Sequence, residues 1–229
     1  MRFDIITIFP QMCSAYLDES IIKRGQKKKL LDIRLHDLRS FALGPHKKVD
    51  DRPYGGGPGM VIRADIVARA IGSLKIKRGS PRTKIVLCSA DGAQFTQFTA
   101  RQWAKKYERV VLIAGRYEGV DERVKKIIKD MTGISVEEVC IGPYVLTGGE
   151  LPAMVMIDAA IRHIPGVLGK EESLEEKRYG IGLAAYTRPE IIIQKEKKYR
   201  VPSVLLTGDH KKIEAWRKKH VSSYAEWDL

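Results

Sequence analysis

Apolar β-rich runs and amphipathic helical stretches alternate along the first 165 residues, and no other feature constrains the fold as much. FDIITIF (3–9), closed by Pro10, reads as a buried strand. Residues 11–29 read weakly as a helix, and LDIRLHDL (31–38) alternates with the period of a strand. A helix fits 63–74, with Val67, Ala70, Ile71 and Leu74 on one face. KIVLC (84–88), RVVLIA (109–114) and VEEVCI (136–141) are strands. Each is followed by a turn or loop, SADG (89–92), GRYEG (115–119) and GPYVLTGGE (142–150), and then by a helix, at 96–107, after 119 and at 152–163. Such alternation predicts an α/β fold, a mostly parallel sheet covered by helices. The three loops after strands then share one rim, where ligands of such folds sit.

After residue 165 the texture changes. Residues 166–200 are charged and broken by Gly and Pro, which reads as a flexible linker or lid, and 201–229 as a short helical segment with an Asp209 N-cap. The chain divides accordingly into 1–165, 166–200 and 201–229.

Forty-one Lys and Arg against 28 Asp and Glu leave a formal charge of +13, which points to a polyanionic partner. Cys13, Cys88 and Cys140 are far apart, with no CxxC pair and no Cys/His cluster. A disulfide framework and a zinc finger are therefore not expected, in keeping with a reducing cytoplasm. No apolar run reaches membrane-span length and the first residues lack the pattern of a signal peptide.

Three Gly-rich strings carry the candidate chemistry. GGGPGM (55–60) lacks the GK[ST] of a P-loop, but Arg52 and Tyr54 beside it suit a nucleic-acid backbone and a stacked base. GRYEGVDER (115–123) places Tyr117 and Glu118 between glycines, where packing alone accounts for neither; Asp121 and Glu122 also fit a plain helix N-terminus. IGPYVLTGGELPAM (141–154) threads apolar side chains through a Gly-rich loop, the makings of a slot for adenine and a thioether. The helix after it is apolar on nearly all sides, so one face is core and the other a subunit interface.

These strings, with DIITIFPQM, DRPYGGGPGM, IPGVLG, YTRPE and VLLTGDHKKIEAWR, resemble the bacterial tRNA (guanine-N1)-methyltransferase family over essentially the whole chain. The resemblance implies a SPOUT-type parallel sheet with a deep trefoil knot, a small C-terminal helical domain, and a homodimer with its active site at the subunit interface. It implies S-adenosyl-L-methionine as cofactor and the tRNA anticodon stem-loop as partner, with methyl transfer to N1 of guanine 37. Carried over, the cofactor contacts are Cys88, Ser89, Ala90, Gly115, Ile141, Gly142, Pro143, Tyr144, Val145, Leu146, Gly148, Gly149 and Pro152. Arg52, Tyr54, Gly59 and Tyr117 would meet the substrate, and Arg162 and Glu118 fall at catalytic positions. The family also implies a divalent ion, for which the sequence offers no dedicated ligand cluster.

Guanine N1 is a poor nucleophile until its proton leaves, so a carboxylate must accept it and a cation near O6 must hold the developing charge. Where the family carries its base Asp, SLEEKRY (173–179) places Lys177. Glu176, or Glu175, is the expected replacement, with a solvated charge run as the plain alternative. The C-terminus also stops soon after Trp216, which implies a trimmed tRNA-gripping segment. The rival readings are a knotted methyltransferase acting on ribosomal RNA or a ribose hydroxyl, and a catalytically inactive RNA-binding dimer.

Overall fold

The computed structural model describes residues 1–169 and 183–220, in two compact units, Met1–Leu168 and Gly169–Leu229. In the first, β1 (Arg2–Thr7), β2 (Asp32–Asp37), β5 (Thr83–Gln94), β6 (Arg109–Ala114) and β7 (Val136–Cys140) form one sheet in the order β2-β1-β6-β5-β7. Every pairing in it is parallel. Two short strands, β3 (Asp50–Asp51) and β4 (Val61–Ile62), pair separately.

Helices cover both faces. On one, Phe3, Ile5, Val110 and Leu112 meet Cys13 and Leu17 of α1 (Pro10–Leu17), Ile22 of α2 (Ser20–Lys27), Trp103 of α4 (Gln97–Lys106), and Met156 and Ile157 of α6 (Glu150–Ile161). On the other, Ile6, Val111 and Ile113 meet Ile66, Val67 and Ile71 of α3 (Ala64–Ser73) and Val124 and Ile128 of α5 (Arg123–Thr132). Alternate residues of one strand thus enter opposite cores, as a sheet covered on both sides requires. α6 is apolar all round and buries Ala153, Met156, Ile157, Ala160 and Ile161. It leaves Leu151 and Val155 exposed, as α1 leaves Met12 and Tyr16. β1 also carries a fully buried carboxylate, Asp4, bonded by Arg2, Arg109 and His36.

Three expectations are corrected. The helix expected over 11–29 is two helices: the first ends at Leu17, and the second begins at Ser20, whose left-handed φ of 50° turns the chain between them. SADG is not a simple turn between elements. β5 runs on to Gln94, and Cys88 and Ala93 both align with Val139, so the residues between them bulge out of the sheet. Within the stretch read as linker, β8 (Ile191–Gln194) and β9 (Lys197–Arg200) form an antiparallel hairpin. Its turn residues Lys195 and Glu196 both have positive φ, a conformation usually signalled by Gly or Asn, so no residue type marked the turn. The last described element, α7 (His210–Lys219), is capped as expected: the Asp209 carboxylate accepts from the backbone N–H groups of Lys211 and Lys212.

Candidate active site

A cleft of about 470 Å³ opens beyond the C-terminal ends of β5, β6 and β7. Its walls are the β5 bulge, the loop after β6 and the loop after β7, the three segments expected on one rim. Glycine lets the backbones close on each other. A Cβ on Gly149 would stand 2.7 Å from the Ala114 Cα and 2.9 Å from the Cys88 Cβ, and one on Gly92 would fall on the Glu138–Val139 peptide. Gly149 N–H donates to the Gly115 carbonyl at 2.8 Å, and Arg116 bridges to Gly148. The result is a slot in which Leu87, Ile141 and Leu146 stand beside glycine backbone. That mixture holds a flat heterocycle and an apolar chain.

One buried carboxylate ties this frame together. Glu150, the first residue of α6 and fully buried, accepts from the Thr7 hydroxyl at 2.6 Å and from Arg116 Nε at 2.8 Å. Arg116 also donates to the Thr147 carbonyl and lies 4.9 Å from the centre of the Phe9 ring. The same enclosure silences two thiols. Burial, reinforced by the Glu150 charge, pushes Cys88 up to about 12 and Cys13 up to about 11. Neither provides a thiolate nucleophile at neutral pH.

At the cleft mouth the GGGPGM loop is stitched to the loop after β6. Glu118 N–H donates to the Met60 carbonyl, Ile62 N–H to Gly119, and Asp121 N–H to Ile62. Gly59 has φ +81°, and a Cβ there would overlap the Glu118 carboxylate. Of the acidic residues lining the cleft, Glu122 and Glu138 are paired with Lys125, and Asp91 accepts from the Ser89 hydroxyl at 2.5 Å. Glu118 makes no side-chain hydrogen bond or ion pair among the described residues. A carboxylate without a partner, at the mouth of an apolar slot, is free to accept a proton or bind a cationic ligand group.

Residues 1–226 match the family described as tRNA (Guanine-1)-methyltransferase TrmD. Relatives named tRNA (guanine-N(1)-)-methyltransferase include that of Geobacter metallireducens, 46% identical over 96% of this chain and 85% of its own length. Those of Dictyoglomus turgidum and Geobacillus kaustophilus are each 44% identical, over 96% of this chain and 84% and 86% of their own lengths. The chain belongs to the TrmD family.

The residues carried over from the family gather unevenly. Of the donor contacts expected for a TrmD protein, all but Pro143 line the cleft, together with Tyr117 and Glu118. Gly59 lies against Glu118, while Tyr54 is almost fully exposed in a loop whose Gly55, Gly56 and Gly57 all have positive φ. Arg52 and Arg162 are outside the cleft wall; Arg162 caps the end of α6. Glu175, Glu176 and Lys177 lie outside the described residues. Reasoning from the sequence missed Arg116, although its place in GRYEG, an arginine directly after a strand and two residues before Glu118, was a usable signal. It also missed Asp91 and Glu138, whose places in the chain give no sign that they line the same cleft; Glu122, read as a plain helix N-terminus, lines it too. No group of three or more metal-binding side chains gathers among the described residues, and no helix among them is long and apolar enough to cross a membrane.

Proposed function

We propose that the protein transfers a methyl group from S-adenosyl-L-methionine to N1 of guanine 37 of tRNA, in the cytoplasm. The observation that carries this reading is the convergence of three loops on one glycine-lined apolar slot, with unpartnered Glu118 and the Gly59 loop at its mouth. The names of the relatives fix the reaction class and the base.

The slot fits the donor on its own geometry: backbone N–H and C=O groups for an adenine edge, apolar walls for the thioether, and glycines where a Cβ has no room. When bound, the donor supplies an electrophilic methyl on a sulfonium. The protein's part is to hold the guanine ring in line with it and to manage the N1 proton. Tyr117 and Tyr54 provide aromatic faces for a base drawn out of the anticodon loop, and Arg52 binds phosphate beside it. The N1 proton passes to Glu176, or to Glu175, and Arg162 stabilises the negative charge on O6. No step is assigned to a divalent ion, because the described residues offer no ligand set.

We further infer the SPOUT-type knot around the loop after β7, and a homodimer through the α1–α6 surface that completes the active site. The exposed Met12, Tyr16, Leu151 and Val155 support that surface, since contiguous apolar side chains mark interfaces.

The test is methyl transfer from labelled S-adenosylmethionine to unmodified tRNA transcripts with guanine or adenine at position 37. Label on the guanine transcript alone, mapped to N1, is the expected result. Label on neither, with the donor bound, overturns it. The base assignment is tested separately: Glu175→Ala with Glu176→Ala is expected to lower single-turnover transfer at least 100-fold with donor affinity retained. Unchanged transfer removes both residues from the mechanism.

A further inference from the structure

The β8–β9 hairpin has an unbalanced charge. β8, IIIQ, carries none. The turn and β9 carry Lys195, Lys197, Lys198 and Arg200 against Glu196 alone. All four cations are exposed, and none makes an ion pair or a side-chain hydrogen bond among the described residues. Cross-strand pairing is regular, Ile191 with Arg200, Ile192 with Tyr199, Ile193 with Lys198 and Gln194 with Lys197.

Side chains alternate across a strand, so Lys198 and Arg200 project from one face and Lys197 and Tyr199 from the other. Ile192, Ile193 and Tyr199 are more than half exposed. A two-stranded ribbon without a packed face is marginal by itself, and crowded like charges weaken it further. A polyanion that follows both faces of the ribbon removes the second cost, and Tyr199, on the face it shares with Lys197, offers a surface on which a base or ribose can stack.

We infer that this hairpin is an RNA-binding ribbon, in which Lys197, Lys198 and Arg200 contact the sugar–phosphate backbone of the tRNA and Tyr199 packs on an adjoining nucleotide. The inference rests on the tRNA reading above and adds the element that grips the substrate away from the donor cleft.

The experiment compares wild-type protein, the triple variant Lys197→Gln, Lys198→Gln, Arg200→Gln, and a charge-matched control on α4, Arg101→Gln, Lys105→Gln, Lys106→Gln. Affinity for the guanine-37 transcript is measured over a salt series, with donor affinity and kcat at saturating tRNA alongside. Each phosphate contact contributes roughly 0.7–0.9 to the slope of log K against log salt, so the hairpin variant is expected to flatten the slope by about 2 and to raise Kd about tenfold at low salt. Donor affinity and kcat stay unchanged, and the α4 control keeps its slope. Lys198→Glu alone, at an exposed position that folding does not depend on, is expected to act in the same direction.

An unchanged Kd and slope in the hairpin variants, while the wild type still methylates, overturns the ribbon and leaves the methyltransferase reading intact. An equal change in the α4 control, or loss of self-association in place of tRNA affinity, overturns it too. A wild type that neither binds nor methylates the transcript overturns the functional reading, and the ribbon with it.

Discussion

Arg116 Nε lies 2.8 Å from Glu150 Oε2, and through that bond the loop after β6 is fastened to the helix that follows β7. The Glu150 side chain is 1% exposed and that of Arg116 14%, so the pair is screened little by water. Removing one partner strands the other's charge. Arg116→Ala is expected to lower unfolding free energy by about 3–5 kcal/mol. It is also expected to weaken S-adenosylmethionine binding, because the Thr147 carbonyl loses its donor. Denaturant unfolding and calorimetric titration read the two effects, and a variant as stable as wild type shows the pair to be incidental.

Gly59 controls the position of Glu118. At φ +81° a side chain costs about 1–2 kcal/mol, and here its Cβ also overlaps the Glu118 carboxylate. Gly59→Ala is expected to lower kcat/KM for tRNA at least tenfold while donor affinity stays within about twofold. Steady-state kinetics beside a donor titration check this. Loss of donor binding to the same degree would place Gly59 in the slot itself.

The parts legible in the sequence were those that obey a period or a local rule. Val124 and Ile128 at helical spacing, the continuous apolar run of RVVLIA and the Asp209 cap each state their structure within a few residues. The gathering of the loops after β5, β6 and β7 was legible too, because parallel strands send their following loops to one rim. Features that depend on distant residues were not. Thr7 and Glu150 are 143 positions apart, and nothing in either neighbourhood announces the bond. The β5 bulge depends on re-pairing with β7, and the β8–β9 turn on two residues that rarely take positive φ.

Asp4 makes stability depend on pH. Burial alone would raise its pKa, but hydrogen bonds from His36, Arg2 and Arg109 outweigh burial and hold the carboxyl well below the usual carboxylate range. The folded state therefore binds this proton less readily than the unfolded chain. The stabilisation is fully present above the ordinary value of 3.8 and is lost as pH falls below it. Asp4→Asn is expected to cost about 3–5 kcal/mol at pH 7 and to lessen the acid sensitivity of unfolding. Denaturant melts between pH 7 and pH 3 test the sign, and a variant that keeps the wild-type slope rules it out.

Cys88 lines the cleft, yet its thiol is expected to be inert. Burial, then the charge of Glu150, pushes its pKa up to about 12, so at pH 8 the thiol form dominates. An ordinary cysteine at the same pH is about a quarter ionised. Alkylation at pH 8, followed site by site by mass spectrometry, is expected to modify Cys88 at least 100-fold more slowly in the folded protein than after denaturation. In molecules that remain folded, Glu150→Gln removes the nearby negative charge, so it is expected to lower the Cys88 pKa and speed its alkylation, with Cys13 moving in the same direction because the same charge raises it. If Cys88 reacts at the denatured rate in the native protein, burial and the Glu150 charge do not hold its thiol protonated.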